Sequence, residues 1–403
     1  MKNFKRIYIP SVLLLSGAVG FAAETSYNAS ASTFLDVAER IVDGNEALKA
    51  EDATLQAEIE ALRAEAVPEN PEVEFEHLWS AGEADNKWNI GVTQSLPWPG
   101  TFGARRKAAS LLAEARTSGM EQSRRELRLR VLQSLADIVA ANRRVEILSE
   151  LHRSMIELRE AYERAWQHGE TTILDLNKMK IETVRSLSEL QQAESQRQTL
   201  IHELQALAGN SGDPAETALT LTDFPLLELA PLDAYLAGVD RSPEIEYLRA
   251  MQAVERQNVA VAKASRLPGI SLGYRHALEE GTHFNGLAVG ITLPVYSRRS
   301  AVASARSRAL ASDYSESARR REIEQTIASD YAAAASVREQ IAGYAPVVEN
   351  VNNQALLRRA LDGGQISLLD YLQETSYFLR ARLDYVDLSA TYARLLFSLS
   401  RYL

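Results

Sequence analysis

The hydrophobic positions of the chain change period near residue 97. Before that point Trp88, Ile90 and Val92 alternate with small or polar residues, a spacing of two that puts them on one face of a β-strand. Pro97 ends this pattern, and from about residue 104 the apolar residues recur at helical spacing. The stretch therefore predicts a strand, a turn and a long helix.

The same change of period recurs about half a chain later, where apolar residues at 287–293 alternate with small ones before the next proline. Three pairs of landmarks keep offsets of 197, 197 and 195 residues: Pro97 with Pro294, Pro71 with Pro268, and Gly169 with Gly364. Landmarks that recur in register indicate an internal duplication.

Each repeat is predicted to hold a helix, two short strands, a very long helix and a return helix. In the first repeat these are a helix at 33–66 interrupted near Gly44, strands at 73–79 and 87–96, and helices at 104–167 and 172–207. In the second they are a helix at 232–266, strands at 269–276 and 287–295 with a loop at 277–285, a helix at 300–361 kinked by Pro346, and a return helix at 366–402.

The domain organisation follows from these elements. The first 22 residues have a basic start, an apolar stretch broken by Pro10 and a small-residue end, and they predict a secretory signal peptide; an N-terminal anchor helix is the alternative. We expect repeats at 23–209 and 232–403, joined by a linker at 210–231. No later segment has the ~18 apolar residues of a transmembrane helix.

Composition argues against several functions. Cysteine is absent, which excludes disulfides, cysteine metal sites and cysteine nucleophiles. The formal net charge of −10 argues against a nucleic-acid partner. The six histidines are dispersed along the sequence, and no HExxH motif, phosphate loop or nucleophile elbow occurs. We therefore predict no enzyme activity, no metal site and no cofactor.

Four strands of eight to ten residues have the length to cross an outer membrane. They cannot close a barrel, and open sheet edges are not tolerated in lipid. The sequence thus predicts an oligomer, in which a trimer would supply twelve strands. A four-stranded sheet covered by the protein's own helices is the alternative. Glu72, Glu74 and Glu76 form one face of the first strand, either towards a barrel lumen or as a solvated face near the rim.

The duplicated strand, the LPWPGTFGARR turn and the G-x-x-[ST]-[IL]-L-D motif at both helical hairpins resemble the TolC-type outer-membrane efflux factors, in their heavy-metal and multidrug branch. The resemblance implies a mainly α fold with a small membrane β part: a homotrimer with one twelve-stranded β-barrel above a periplasmic tunnel of long antiparallel helical hairpins. It also implies a passive exit duct in the outer membrane of a Gram-negative bacterium, serving a tripartite efflux or type I secretion system.

The resemblance further implies roles for the two hairpin tips. A periplasmic adaptor protein would dock at Gly169, Thr172, Leu174, Gly364, Ser367 and Leu369. Asp370 matches an aspartate that rings the closed mouth, and Asp175 is its repeat partner. The family's next aspartate is Gln373 here, and its latch arginine is Ile366. The energy would come from an inner-membrane pump of RND or ABC type.

Simple helix capping is the competing role for the tip residues. Glycine after a helix, and threonine or serine before one, are common caps whatever else they do, and aspartate in a first turn favours the helix dipole. For the whole chain, the rival function is a periplasmic coiled-coil adaptor or scaffold, in which the strands would form a soluble β domain.

Overall fold

The computed structural model describes residues 21–65, 67, 69–79, 87–96, 98–209, 214–225, 228–279, 281–293, 298–348 and 353–403. Most of the predicted signal peptide, Pro97, Pro294 and the turn at 81–86 lie outside these ranges. Among the described residues, no helix combines the length and the apolar character needed to cross a membrane.

Both halves follow the predicted order of elements. The first half comprises α1 (Phe21–Gly44), α2 (Glu46–Glu65), β1 (Glu72–Leu78), β2 (Lys87–Leu96), α3 (Pro99–Gln167) and α4 (Ile173–Ala208). A short helix, α5 (Ala215–Thr220), lies in the linker. The second half comprises α6 (Leu232–Gly238), a 3₁₀ turn (Val239–Arg241), α7 (Pro243–Ala264), β3 (Gly269–Glu279), β4 (Thr282–Thr292), α8 (Arg298–Val348), α9 (Asn353–Asp362) and α10 (Leu368–Ser400).

The helix α3 is the longest element, with 69 residues and a length of about 100 Å. Its middle carries the main hydrophobic core: Val131, Leu135 and Ile138 pack with Phe34 of α1 and Phe397 of α10. In a second core, Leu399 and Tyr402 near the end of the chain pack against residues of α6, α7 and α8. A third lies just inside the hairpin tips, around Met155, Leu158, Met179, Leu368 and Tyr371.

Two predicted helices are broken in the structure. The break near Gly44 is confirmed: the Asn45 side chain accepts from the Leu48 amide at 2.9 Å and donates to the Leu207 carbonyl at 2.7 Å, so it starts α2 and ties it to the end of α4. The single helix predicted for 232–266 is wrong. Ser242 is extended and caps α7, whose first residue is Pro243, and this arrangement separates α7 from α6.

The second repeat also differs from its prediction in the loop between its two strands, and its long helix is described in two parts. The loop expected at 277–285 is wrong, because β3 and β4 pair without interruption up to Glu279 and Thr282, with Gly281 in the left-handed region at φ +74°. The helix expected to continue to residue 361 is described as α8 and α9. Pro346 lies in the last turn of α8, where its missing N–H weakens the helix.

The four strands form one antiparallel sheet in the order β1-β2-β3-β4. Register places Glu74 beside Gly91 and Gly91 beside Arg275, on one face. The opposite face presents Val73, Phe75, Ile90, Val92, Leu272, Tyr274, Leu287, Val289 and Ile291. Within the described residues, β1 and β4 each pair on one side only, so both edges of the sheet are open.

Candidate functional site: hairpin tips and sheet faces

The two hairpin tips are built in the same way. Gly169 and Gly364 have φ values of +74° and +66°, a left-handed conformation that glycine adopts without strain. After α3, the Glu170 amide bonds the Ala165 carbonyl at 2.8 Å; after α9, the Gln365 amide bonds the Ala360 carbonyl at 2.8 Å. These are the bonds of a Schellman motif. The predicted capping role of both glycines is confirmed.

The return helices begin with equivalent caps. The Thr172 hydroxyl accepts from the Asp175 amide at 3.1 Å, and the Ser367 hydroxyl accepts from the Asp370 amide at 3.2 Å. In the second tip the Asp370 carboxylate also accepts from the Ser367 amide at 3.1 Å, which completes a capping box. The predicted N-cap roles of Thr172 and Ser367 are therefore confirmed.

Both tip carboxylates are held in their charged form. The Thr172 hydroxyl, donating at 2.8 Å, and then the Lys178 ammonium at 3.1 Å lower the pKa of Asp175. The hydroxyl and then the backbone amide of Ser367 lower the pKa of Asp370. Hydrogen bonds donated to a carboxylate stabilise its anion. Each tip thus carries a fixed negative charge at its surface.

The neighbouring tip residues divide into an exposed set and a buried set. Leu174 and Leu369 are 69% and 62% exposed, so no other described part of the chain covers these two leucines at the hairpin tips. Ile366, at the position of the family's latch arginine, packs against the core inside the tips. Gln373 donates to the Tyr377 hydroxyl one turn on, at 3.0 Å. Ile366 is therefore a partly buried packing residue of the tip, whereas Gln373 is exposed.

Ion pairs that the sequence did not indicate join the two repeats roughly 20–35 Å from the tips along α3 and α10. Arg144 and Glu150 of α3 bind Asp387 and Arg382 of α10 at 2.7 and 2.8 Å. Farther from the tips, Arg394 of α10 binds Asp137 of α3. Only the packing of α3 against α10 brings these residues together, since they are more than 200 positions apart in the sequence.

Glu72, Glu74 and Glu76 of β1 lie on the polar face of the sheet, and two of them have partners there. Glu76 accepts from the Asn89 amide at 2.5 Å, and Glu74 lies 3.8 Å from the Arg275 guanidinium. Lys87 and Glu279 form a further pair on the same face. This face therefore carries charges of both signs, with the carboxylates in excess.

The opposite face is uncovered and apolar along most of its length, with His77, His276 and His283 at the end farthest from the helices. Leu287, Val289 and Ile291 of β4 are 88%, 69% and 67% exposed. The alternative in which the protein's own helices cover the sheet is therefore wrong for this face. Exposed apolar surface of this extent marks contact with a membrane or another protein.

The histidines are less dispersed than the sequence suggested. Pairing of β3 with β4 brings His276 within 3.3 Å of His283. Their seven-residue spacing around a tight turn was the signal, and it was obscured by the loop predicted at 277–285. In the part of the chain that the structure describes, no group of three or more histidine or carboxylate side chains could hold a metal ion.

Known proteins share both the sequence pattern and the fold. The family model for outer membrane efflux proteins matches residues 37–210 and 239–403. No curated protein matches the chain by sequence.

Among solved structures, a membrane protein from Pseudomonas aeruginosa is 17% identical with a TM-score of 0.77, covering 92% of this chain and 90% of its own. The CmeC outer membrane channel of Campylobacter jejuni is 14% identical with a TM-score of 0.75, covering 99% and 93%. The outer membrane protein VceC of Vibrio cholerae is 15% identical with a TM-score of 0.73, covering 93% and 96%.

The family match spans both repeats on either side of the linker. The structural matches extend over nearly the whole of each chain and confirm the fold of long helical hairpins and a four-stranded sheet. The chain therefore belongs to the outer membrane efflux protein family.

Proposed function

We propose that this outer-membrane efflux channel works as a homotrimer that receives solutes from an inner-membrane pump through a periplasmic adaptor protein. The observation that carries the proposal is the sheet, open at both edges and apolar on one exposed face. It stands at one end of the long hairpins, and the charged tips stand at the other. A periplasmic scaffold with a soluble β domain would have no use for such a face.

The open edges support a barrel shared between chains. Backbone groups that face lipid without a partner cost several kcal/mol each, so a membrane sheet must close. Four strands are too few, since the smallest membrane barrels have about eight. In a trimer, β4 of one chain pairs with β1 of the next, and twelve strands close the barrel.

The two sheet faces support an assignment of the lumen. The apolar face turns to lipid, and the face with Glu72, Glu74 and Glu76 lines the channel. In a trimer these nine carboxylates exceed the basic side chains from Lys87 and Arg275. The lumen therefore has a net negative charge and favours cations.

The tips form the periplasmic mouth in this proposal. Asp175 and Asp370 both stay ionised because their caps lower their pKa values, so a trimer places six fixed charges around the axis. Gln373, three residues after Asp370, adds a neutral amide about 4.5 Å farther along the helix. Repulsion among the carboxylates opposes closure, and contacts between neighbouring hairpins oppose opening.

The same tips are where the adaptor docks. Leu174 and Leu369 offer an apolar contact on each hairpin, and the turns at Gly169 and Gly364 hold them at equivalent heights beside Thr172 and Ser367. The pump, of RND or ABC type, supplies the energy and selects the solute. The duct itself conducts passively, for efflux or for type I secretion.

Conductance in a planar bilayer tests this function. Unaltered protein should give small cation-selective channels. Asp175→Asn combined with Asp370→Asn keeps oxygen acceptors for the caps but removes the charge, so cation selectivity should fall. Asp52→Asn, on the exposed surface of α2, is the control and should change nothing. Protein that stays monomeric and forms no channels would contradict the proposal.

A further inference from the structure

Two imidazoles meet at the end of the sheet that is farthest from the helices. His276 on β3 pairs with Asn285, and His283 on β4 pairs with Leu278, so the two histidines are diagonal neighbours. Their rings stack at 21° with centroids 5.3 Å apart. Nδ1 of His283 lies 3.3 Å from Nε2 of His276. Neither ring takes part in the channel functions proposed above.

Neighbouring side chains fix the tautomer of His276. The Asn285 side-chain oxygen is 2.8 Å from Nδ1 of His276 and 2.6 Å from the Tyr274 hydroxyl. An amide oxygen has no proton to give, so both partners must donate to it. Nδ1 of His276 therefore carries the proton, and Nε2 presents a lone pair to His283. Histidine ligands of metals are commonly oriented by such a second hydrogen bond.

The spacing of the two nitrogens suits a shared metal ion. Two imidazole nitrogens at 2.0–2.1 Å from a tetrahedral ion such as Zn²⁺ are about 3.3–3.4 Å apart, and neighbouring equatorial nitrogens of tetragonal Cu²⁺ are about 2.8–3.0 Å apart. The observed separation is 3.3 Å. In this contact Nδ1 of His283 donates to Nε2 of His276. Metal binding requires the other neutral tautomer of His283, with its proton on Nε2, and a rotation about χ2, a torsion with a broad minimum, that turns both lone pairs towards one position. The nearest basic side chain on β3, Arg275, lies on the opposite face beside Glu74.

We propose that His276 and His283 bind one divalent first-row transition-metal cation, such as Cu²⁺ or Zn²⁺. Imidazole suits these ions, whereas Mg²⁺ and Ca²⁺ require oxygen ligands. Water completes the coordination, since the structure provides two protein ligands. The ion joins β3 to β4 at the hairpin end. The site needs only this hairpin, so it stands or falls independently of the proposed trimer and its conductance.

Copper binding to the purified full-length protein, prepared without a histidine tag, tests the site. Electron paramagnetic resonance should show one Cu²⁺ per chain with two equatorial nitrogens. His283→Ala should leave one nitrogen and weaken binding by about tenfold or more. Asn285→Ala should weaken binding less, because it removes only the group that orients His276.

Two histidines outside the pair provide matched controls. His77→Ala changes another histidine of the same sheet face, and His202→Ala changes one on α4 that bonds two glutamines; both should leave binding unchanged. The number of nitrogen ligands in the spectrum of the unaltered protein tests the site even if a variant fails to fold. A single nitrogen ligand, no copper bound, or undiminished binding in His276→Ala/His283→Ala would overturn the proposal.

Discussion

At the residue scale, the hairpin tips depend on backbone conformations that few side chains allow. Gly364 has φ +66°, and a Cβ added there would meet no atom within 4 Å. The reason for glycine is therefore the backbone angle and not crowding. Gly343 offers the opposite case, since it lies exposed within α8 and also has open space around it.

Alanine substitutions at these two glycines should change stability in opposite directions. Gly364→Ala should destabilise the protein by about 1–2 kcal/mol, because alanine is strained in the left-handed region. Gly343→Ala should stabilise it by about 1 kcal/mol, because glycine is a poor helix former. Unfolding followed by circular dichroism measures both. Equal shifts in the same direction would contradict the assigned roles.

The capping box at Asp370 should make tip stability depend on pH. The folded-state pKa of Asp370 is below the ordinary 3.8, so its stabilisation is present above that value and is lost as pH falls through the lowered pKa. The thermal midpoint of unaltered protein should exceed that of Asp370→Asn at neutral pH, and the difference should shrink below about pH 4. Asp52→Asn is the control; a constant difference would refute the prediction.

Residue-scale features were predictable only where they are local in sequence. The caps at Thr172 and Ser367 follow from residues three positions apart, so the sequence contained all the information. The contact of His276 with His283 depends on strand register, which the expected loop at 277–285 obscured. Ile366 shows a further limit: its burial inside the tip depends on how the hairpins pack.

At the element scale, ion pairs between α3 and α10 join the two repeats roughly 20–35 Å from the hairpin tips. Their ion pairs cross between helices, whereas pairs such as Arg185 with Glu189 lie within one helix. The side chains are partly exposed, so each pair contributes only about 0.2–1 kcal/mol. Weak contacts of this kind hold the two helices together at little cost to their movement.

Removing these pairs should favour the open channel. Asp387→Asn with Glu150→Gln releases Arg144 and Arg382, so open probability in planar bilayers should rise by a few-fold, as expected for a loss of about 1 kcal/mol. High salt screens the ion pairs and should also raise the open probability of the unaltered protein. Glu189→Gln breaks a pair within α4 and should have no effect. Unchanged gating in the double variant would exclude these pairs from the closed state.

Element boundaries were predicted well where the apolar periodicity extends over many residues. They were predicted poorly where a local capping signal interrupts a helix without interrupting that periodicity. The 69 residues of α3 were found to within five at its start. The break at Ser242 and Pro243 was missed although serine before proline marks a helix start, because apolar spacing continues on both sides. For α8, the predicted kink at Pro346 stays a prediction, since the structure shows only that Pro346 lies in the last turn of the helix.

At the scale of the whole molecule, the sheet is the part that a single chain leaves unfinished. Two consecutive residues of β4 lie on opposite faces of the sheet. Val289 is exposed on the apolar face, and Ala288 lies beside Gly273 on the face with the glutamates. Strand alternation alone could predict two faces. It could not tell which one turns to lipid, since that depends on the partner chains.

Arginine placed on the two faces should distinguish them. Val289→Arg should prevent insertion into the outer membrane, because a lipid-facing arginine near the midplane costs about 2–4 kcal/mol in each chain. Ala288→Arg should insert and instead reduce cation selectivity. The amount of heat-modifiable trimer in outer-membrane fractions measures insertion. Equal loss for both variants, or loss only for Ala288→Arg, would reverse the assignment of the faces.

The open edges of β1 and β4 also bear on how the cell must handle the newly made chain. In the proposed trimer, each edge finds its partner only on another copy, so biogenesis is a meeting of three molecules and its rate depends on their concentration. Until they meet, the exposed strands can pair with unrelated chains. The open strand edges are therefore the part of an unassembled chain most exposed to aggregation before it reaches the membrane.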